Sequence, residues 1–329
     1  MRPLVDICIV TFESAEDLPG WFDAVVDLDY RPLRVTIVDC ASCDVSVVVA
    51  NGFRSQARLP TAVIALDENL GFAGGMNEAL RRSSGPFVLL LNPDARPEPD
   101  YLSNLLGSIE DLVGHRIGAV TGRLVRPATA SEGPRIDACG MRLSPTWRHL
   151  DRGSGARDRG QLKRRERVFG ATGAASLFVR AALEDVAVGG RVFDETFHTF
   201  REDAELCFRL QERGWEVVYE PTARATHRRS NLPSRRKQMS AEVNRNSLRN
   251  RYLLRLYHQT VLNFAWTLPF TMFRDLLALG YVLTHERSSL AAYTWLWKHR
   301  DSIRQRRRSI QDRKKRPIEK WFLNSGLPL

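Results

Sequence analysis

The sequence contains few cysteines, and they are scattered along the chain. Five cysteines occur in 329 residues, and only Cys40 and Cys43 are spaced as a C-x-x-C pair. The sequence has no second pair that would complete a zinc site, and such usage is typical of a reducing compartment rather than of a disulfide framework. The composition therefore argues against a small disulfide-stapled domain and against a structural zinc site.

The sequence also lacks the hydrophobic runs that direct a chain into or across a membrane. At the N-terminus, Asp6 interrupts the apolar stretch that a secretory signal requires. The mostly apolar segment 261–283 approaches the length of a spanning helix, but Pro269, Arg274 and Asp275 lie near its middle, where charges are costly. We therefore expect a cytoplasmic protein.

Acidic residues are outnumbered by basic ones. The chain has 49 lysines and arginines against 38 aspartates and glutamates, so its formal net charge is +11. Such an excess indicates an anionic partner, which is a nucleic acid, a phospholipid surface or a phosphorylated substrate. The sequence contains no apparent nucleic-acid recognition module, so we expect no nucleic acid as a partner.

Short apolar segments alternate with helical patterns in the first part of the chain. The predicted strands are Val5–Thr11, Leu33–Val38, Ala62–Leu66 and Val88–Leu91. Strands that alternate with helices are typical of a doubly wound α/β domain with a mostly parallel sheet.

A polar residue stands at or just beyond the end of each predicted strand. These residues are Thr11, Asp39, Asp67 and Asp94. Because the carboxyl ends of parallel strands share one edge, we expect the four side chains to line a ligand-binding crevice. Pro93 ends the fourth strand and holds Asp94 at that edge, where a carboxylate is a natural ligand for Mg²⁺ or Mn²⁺. The alternative is that Asn-Pro-Asp is only a turn.

A glycine-rich segment, 71–75, follows the third strand. We interpret it as a turn that allows close approach of the backbone to a ligand and that leads into a helix near Ala79. It is neither a P-loop nor a G-x-G-x-x-G motif, so it does not specify a dinucleotide.

Residues 127–167 are predicted to form an irregular, partly ordered excursion over the active face. The alternative is a solvated basic loop.

A second informative stretch begins at Arg201-Glu202-Asp203. Asp203, Leu206 and Leu210 share one face of a predicted helix that ends at Gly214, so the face that enters the core begins with a carboxylate. Helix capping or charge complementation is the alternative reading of the acidic pair. A strand is predicted over 215–219, with His227 just past it, where the side chain is able to reach a metal.

Collectively these motifs resemble glycosyltransferase family 2, the inverting GT-A class. The segments that carry the resemblance are Ile9–Phe12, Val38–Asp39, Asn69–Asn77, Leu91–Asp94, Gly173–Ala175, Phe193–Glu195, Arg201–Leu206, Arg213–Trp215 and His227. Within the family the chain is most similar to the rhamnosyltransferase-like branch, which acts on cell-surface polysaccharides and lipid-linked glycans. The resemblance implies a GT-A domain at 1–235, with a Rossmann-like nucleotide-sugar-binding half at 1–95 and an acceptor and catalytic half at 96–235.

The resemblance also implies roles for particular residues. The residues expected to bind the nucleotide sugar are Thr11, Asp39, Asp67, Asn69, Gly71, Asn77, Asn92, Asp94 and Glu202. Asp203 is expected to be the catalytic base, and Asp94 with His227 to hold Mg²⁺ or Mn²⁺. Asn92 stands where the family's D-x-D motif has its first aspartate, which leaves one firm carboxylate for the metal.

These roles imply an inverting glycosyltransferase. The expected donor is dTDP-rhamnose, which delivers L-rhamnose, and the expected acceptor is a cell-surface polysaccharide or a lipid-linked, polyprenyl-type glycan. The alternatives are a family 2 transferase with a UDP-sugar donor and a non-catalytic member of the fold that only binds a sugar nucleotide.

Beyond the GT-A domain, residues 236–329 read as a basic amphipathic helical region. A predicted basic helix covers 244–257, and Trp295 and Trp297 precede a cationic tail at 304–316. Aromatic residues beside cations favour helices that lie on an anionic bilayer, so we expect peripheral attachment to the inner face of the plasma membrane. An ordinary helical subdomain with solvated charges is the alternative.

Overall fold

The computed structural model describes residues 2–128, 133–229 and 240–329. The strands are β1 (Val5–Thr11), β2 (Leu33–Asp39), β3 (Thr61–Ala65), β4 (Phe87–Leu91), β5 (Ala95–Pro97), β6 (Ile117–Arg126), β7 (Arg135–Ala138), β8 (Met141–Leu143), β9 (His149–Asp151), β10 (Glu166–Val168), β11 (Ala175–Val179) and β12 (Glu216–His227). The helices are α1 (Leu18–Val26), α2 (Ser46–Gln56), α3 (Gly71–Arg81), α4 (Tyr101–Asp111), α5 (Arg180–Val186), α6 (Glu202–Arg213), α7 (Ala241–His258), α8 (Val261–His285), α9 (Ala291–Lys298) and α10 (Arg300–Gln311). Short 3₁₀ turns lie at Glu195–Phe197, Arg287–Leu290 and Glu319–Phe322.

The first half of the sheet is parallel, in the order β3-β2-β1-β4. Its strands are apolar on both faces because helices cover both. On β1, Ile7 and Ile9 pack with α1 and α4 on one side, whereas Cys8 packs with α3 on the other. The predicted strands and the doubly wound α/β class are confirmed.

The sheet changes direction beside β4. Strand β11 runs antiparallel to both β4 and β6, and β6 then pairs in parallel with β12. Short antiparallel partners, β5, β7 and β10, complete the sheet. The turn after β4 and the carboxyl end of β12 therefore lie at the same edge of the sheet, where His227 pairs with Ala95, and such an edge is the place where α/β sheets bind ligands.

The glycine-rich segment is helical rather than a turn. Helix α3 begins at Gly71 and includes Gly74 and Gly75. A side chain at Gly75 would bring its Cβ to 2.8 Å from Val10 Cγ1 and 2.9 Å from Cys40 Sγ. The small residues therefore serve close packing of α3 against β1 and β2, and the turn prediction is wrong for most of this segment.

The irregular interpretation of 127–167 is also wrong for part of the segment that the structure describes, which excludes 129–132. It contains β7, β8 and β9 and ends in β10, and each of these is paired with another strand. Likewise β12 continues to His227, which lies in the strand and not beyond it. These strands depend on pairing with other strands, so a local sequence pattern does not reveal them.

The helices after residue 240 pack on the catalytic half through aromatic side chains. Trp147, on the β8–β9 hairpin, stacks on Phe208 of α6 with centroids 5.7 Å apart and meets Phe322 edge-on at 5.1 Å. The predicted helices at 244–257 and 261–283 are confirmed as α7 and α8. In the described parts of the chain, no helix is long and apolar enough to cross a membrane. The predicted domain boundary at 235 lies outside the described residues.

Candidate active site

Thr11 and Asp39 meet at the ends of neighbouring strands. The Thr11 hydroxyl donates to Asp39 Oδ2 at 2.8 Å, and the Ser42 hydroxyl donates to the same oxygen at 2.7 Å. The Ser42 amide donates to Asp39 Oδ1 at 2.9 Å. The Asp39 carboxylate is buried, at 1% exposure, so it anchors the start of the loop after β2.

The other donor-side residues predicted from the sequence are distributed over the start of α3. Asp67 is exposed two residues after β3. Asn69 Oδ1 accepts from the Gly71 amide at 2.8 Å. The Asn77 side chain is bonded to the Phe193 backbone in both directions, so its amide is engaged away from the strand ends.

Asp94 and His227 are in contact, as the metal prediction requires. His227 Nε2 lies 3.1 Å from Asp94 Oδ1, and His227 Nδ1 lies 2.7 Å from Asp137 Oδ2. Burial lowers the pKa of His227, but the hydrogen bonds to Asp137 and Asp94 outweigh burial and raise the pKa to about 9. Within 2–128, 133–229 and 240–329, no three His, Cys, Asp or Glu side chains group with metal-ligand geometry.

Four charged residues that were not predicted from the sequence belong to this network: Asp137, Asp151, Arg126 and Arg229. Arg229 Nη1 lies 3.0 Å from Asp137 and 2.7 Å from Asp151, and Arg126 Nε lies 3.1 Å from Asp137. Asp151 ends β9, which places a second hairpin beside the sheet edge. Asp137, Asp151 and Arg229 thus connect the Asp94–His227 pair to the catalytic half.

Asp203 lies in the first turn of α6, and each of its two carboxylate oxygens accepts a hydrogen bond from a backbone amide. Its Oδ2 accepts from the Gly173 amide at 3.1 Å, and its Oδ1 accepts from the Ala204 amide at 2.7 Å. Burial raises the pKa of Asp203, and the negative charge of Asp151 adds to the increase. A fixed carboxylate with a raised pKa is suited to accept a proton.

Glu202 differs from its neighbour. It is 7% exposed, and its Oε2 has no hydrogen-bond partner. Burial, then the charge of Asp203, raises the pKa of Glu202 well above its ordinary value. Asp203 is partly exposed by comparison, so of the two acids it is the more accessible one.

The loop 172–174 brings Asp203 close to the strand-end turn that contains Asp94. The Asn92 amide donates to the Ala174 carbonyl at 2.7 Å, and Gly173 holds Asp203 as described. A Cβ at Gly173 would lie 3.2 Å from Phe72 Cζ. Loop 172–174 therefore contacts Asn92 on one side and Asp203 on the other, next to Phe72 in α3.

A strained segment precedes α6 and contacts the start of α3. His198, Phe200 and Arg201 all have positive φ, at 59°, 70° and 76°. The His198 carbonyl accepts from the Ala73 amide at 3.0 Å, and a Cβ at Gly71 would lie 2.5 Å from that carbonyl oxygen. The contact joins the donor side to the catalytic helix and explains the glycine at position 71.

Comparison with known families identifies the chain. The family model described as Glycosyl transferase family 2 matches residues 6–187, which span the sheet from β1 to the end of α5. The chain belongs to glycosyltransferase family 2. The family resemblance of the sequence motifs is confirmed, and the protein is a glycosyltransferase.

Two relatives from Mycobacterium tuberculosis illustrate the similarity. One is an N-acetylglucosaminyl-diphospho-decaprenol L-rhamnosyltransferase, 26% identical over 255 residues, which are 71% of this chain and 79% of the relative. The other is a pre-mycofactocin glycosyltransferase, 31% identical over 201 residues, which are 60% of this chain and 38% of the relative. The first agrees with the rhamnosyltransferase-like branch that the sequence resembles.

Solved structures share the fold. The mannosyltransferase PcManGT from Pyrobaculum calidifontis, in complex with GDP-Man and Mn²⁺, has a TM-score of 0.51 at 19% identity and covers 91% of this chain and 76% of its own. S. aureus TarS 1-349, in complex with UDP-GlcNAc, has a TM-score of 0.56 at 15% identity and covers 94% and 88%. These likenesses confirm the GT-A fold.

Proposed function

We propose that the protein is an inverting transferase in which Asp203 is the general base. The observation that supports the proposal is that loop 172–174 is hydrogen-bonded both to the Asp203 carboxylate and to Asn92, two residues before the Asp94 that contacts His227. The proposed reaction cleft lies between these two groups. Inversion at an anomeric carbon needs one base on the acceptor hydroxyl and stabilisation of a departing diphosphate. A second nucleophilic carboxylate is not required.

The lone pairs of Asp203 that do not face backbone amides are free to accept a proton. Its two hydrogen bonds fix the side chain relative to the sheet, and burial raises its pKa in the direction of neutral pH. Glu202, Asn92 and the donor-side residues Thr11, Asp39, Asp67, Asn69, Gly71 and Asn77 belong to the proposed nucleotide-sugar site. Asp39 would act there largely by fixing the loop at Ser42, since its carboxylate is buried.

A divalent cation, Mg²⁺ or Mn²⁺, fits the chemistry of the Asp94–His227 pair. Asp94 would supply a hard oxygen ligand and His227 Nε2, after release of its proton, a nitrogen ligand, while Asp137 would accept from the other ring nitrogen and orient the imidazole. Such a cation, when bound, stabilises negative charge on a leaving diphosphate. Crystallised fold relatives carry Mn²⁺, which supports the same class of metal.

The proposed donor is dTDP-rhamnose and the proposed acceptor a glycan linked through diphosphate to a polyprenyl lipid. The rhamnosyltransferase relative, named for a diphospho-decaprenol acceptor, supports this choice. A UDP-sugar donor is the second candidate, favoured by the fold relative solved with UDP-GlcNAc.

We further propose that the protein acts peripherally at the inner face of the plasma membrane. Helix α8 exposes Phe270, Phe273 and Leu277 at 50%, 65% and 59%, which is the pattern of a helix that lies in a bilayer surface. The basic residues of α10 supply attraction to anionic lipid. Residues 236–329 would then form the membrane-contacting region and residues 1–235 the catalytic domain.

Product analysis tests the proposed function. The protein is incubated with Mn²⁺, a short-chain polyprenyl-diphospho-N-acetylglucosamine acceptor and either dTDP-rhamnose or UDP-sugars. We expect transfer from dTDP-rhamnose, loss of transfer in EDTA, and an anomeric configuration opposite to that of the donor by NMR. A product that retains the donor configuration would contradict the single-base mechanism, and transfer from UDP-sugars alone would establish the second donor.

A further inference from the structure

Four arginines from three elements approach one another beside the catalytic half. Arg142 is on β8, Arg148 follows in the β8–β9 turn, Arg251 is on α7 and Arg274 is on α8. We call these four residues the arginine cluster. Because like charges repel at short range, a cluster of arginines indicates a binding site for an anion.

Backbone pairing puts the two hairpin arginines on one side. Arg142 pairs with Leu150, and the Ser144 amide donates to the Arg148 carbonyl at 2.9 Å. Because side chains alternate along a strand, Arg142 and Arg148 point to the same face of the hairpin, opposite to the buried Met141 and Leu143.

The hairpin is fixed to α8 next to Arg274. The indole nitrogen of Trp147 donates to Thr267 Oγ1 at 3.2 Å. Arg274 lies two helical turns after Thr267 and one turn after the buried Thr271, so it shares their inward-facing stripe. Arg148 and Arg274 thus border the same junction between hairpin and helix.

The junction between the hairpin and α8 has fewer acidic side chains than basic ones. Arg251 and Arg255 both bond to Asp275. Over the described ranges, neither Arg148 nor Arg274 forms an ion pair, and the half-buried Arg274 has an Nε without a hydrogen-bond partner. Burial, then the charges of Arg251 and Arg148, lowers the pKa of Arg274 to about 10. Partly buried cations without acids are costly unless a ligand neutralises them.

The junction lies between the lipid-facing and catalytic parts of the molecule. The outward stripe of α8 carries the exposed Phe270, Phe273 and Leu277. On the other side, His149 follows Arg148, and its Nδ1 lies 3.5 Å from Nη1 of Arg201, which directly precedes Glu202 and Asp203. An amphipathic ligand with its anionic group at the junction would place an apolar tail on α8 and a sugar towards the cleft.

We propose that the arginine cluster binds the diphosphate of a polyprenyl-linked acceptor and that the lipid chain lies along the outward face of α8. The proposal rests on the proposed function, because it names the part of the acceptor that this surface recognises. Guanidinium groups suit a diphosphate because each donates two parallel hydrogen bonds to neighbouring oxygens. The cluster is a binding element and takes no part in proton transfer.

Direct binding of geranyl diphosphate to the full-length protein tests the subsite without any sugar. EDTA is included so that a cation at Asp94 does not bridge to the ligand, and calorimetry gives the Kd. We expect Arg148→Gln/Arg274→Gln to weaken binding at least tenfold, which corresponds to a loss of about 1.4 kcal/mol for the two substitutions together. The matched control Arg54→Gln/Arg58→Gln removes two exposed charges from α2 and its end and should leave the Kd within twofold.

Further measurements on the double variant distinguish a lost subsite from a lost fold and from a lipid-headgroup site. Nucleotide binding and the melting temperature of the double variant should equal those of the native protein, which separates loss of the subsite from loss of the fold. Equal geranyl diphosphate affinity in the native protein and Arg148→Gln/Arg274→Gln would overturn the proposal. The same holds if that variant loses only its binding to phosphatidylglycerol vesicles, because the cluster would then serve lipid headgroups.

Transfer assays separate this proposal from the proposed function. With a polyprenyl-diphospho-sugar acceptor, Arg148→Gln/Arg274→Gln should raise the acceptor KM tenfold or more and leave kcat within threefold, whereas an alkyl glycoside acceptor without diphosphate should show no difference. Absence of transfer by the native protein to any lipid-linked acceptor would contradict the proposed function. In that case a cluster-dependent Kd for geranyl diphosphate would still establish a lipid diphosphate site.

Discussion

The donor side and the catalytic side of the cleft are built over different distances in the sequence. Asp39 is held by Thr11, 28 residues away, and by Ser42, three residues away. On the catalytic side, His227 reaches Asp94 across 133 residues and Asp137 across 90. The Thr11–Asp39–Ser42 part of the donor side therefore forms with the parallel sheet alone, whereas the catalytic side requires β7, β9, α6 and β12 to be in place.

The two sides also differ in the groups that surround their carboxylates. The Asp39 carboxylate is satisfied by hydroxyl and amide donors. The catalytic side instead holds Asp137 and Asp151 against Arg229, and it raises the pKa values of Asp203 and Glu202 by burial. Perturbed acids collect where proton transfer is needed, so substitutions on the two sides should separate binding from chemistry.

The largest effect is expected at Asp203. Asp203→Asn keeps the side-chain volume but removes the proton acceptor, so kcat should fall by about 10³-fold, within the range for loss of a general base. Donor Kd, measured by calorimetry, should stay within twofold. The matched control is Asp23→Asn on the exposed face of α1, which should leave both quantities unchanged.

A smaller effect is expected at Asp94. Asp94→Asn removes the carboxylate beside His227 Nε2, so Mn²⁺ affinity should fall and kcat/KM should drop by about a hundredfold. Electron paramagnetic resonance titration of Mn²⁺ in the presence of nucleotide measures the first quantity independently of turnover. Unchanged Mn²⁺ affinity would remove Asp94 from the metal site.

The pH dependence of kcat provides a graded test of the base. Asp203 acts only when ionised, and burial raises its pKa, so the rate is full above that raised pKa and falls about tenfold per pH unit below it. The acidic limb of the kcat profile should therefore lie above the ordinary aspartate range. A profile that is flat down to that ordinary range would show that another group takes the proton.

The smallest catalytic effect is expected on the donor side. Asp39→Asn weakens the bonds to Thr11 and Ser42, so the donor KM should rise about tenfold, as for loss of one charge-assisted hydrogen bond. The saturating rate should stay within threefold, because Asp39 lies away from the proposed base. Steady-state kinetics with varied donor concentration checks both values.

The same comparison explains what the sequence predicted and what it did not. The strand ends at Thr11, Asp39 and Asp94 were predictable because buried apolar runs that stop at a polar residue are local patterns. The first turn of α6 was predictable for the same reason, since its apolar periodicity begins at Asp203. The order of these elements predicted a doubly wound α/β sheet, and the GT-A fold was implied by the resemblance of the motifs to glycosyltransferase family 2.

The rest of the site depends on partners that are distant in the chain. Asp137 and Asp151 lie on strands only three or four residues long, which pair with distant or hairpin partners and have no distinctive local pattern. Arg229 is one of many arginines, and nothing adjacent marks it as the partner of both acids. The helical character of Gly74 and Gly75 was missed because the small size of Gly75 serves packing against Val10 of β1 and Cys40 just after β2 rather than a turn.

One paired measurement tests the separation of binding from chemistry most directly. Donor Kd and single-turnover transfer rate at saturating donor and acceptor are determined for Asp39→Asn and Asp203→Asn in parallel. We predict a weakened Kd with a near-native rate for the first, and a native Kd with a rate lowered about 10³-fold for the second. A near-native single-turnover rate for Asp203→Asn would contradict its assignment as the base.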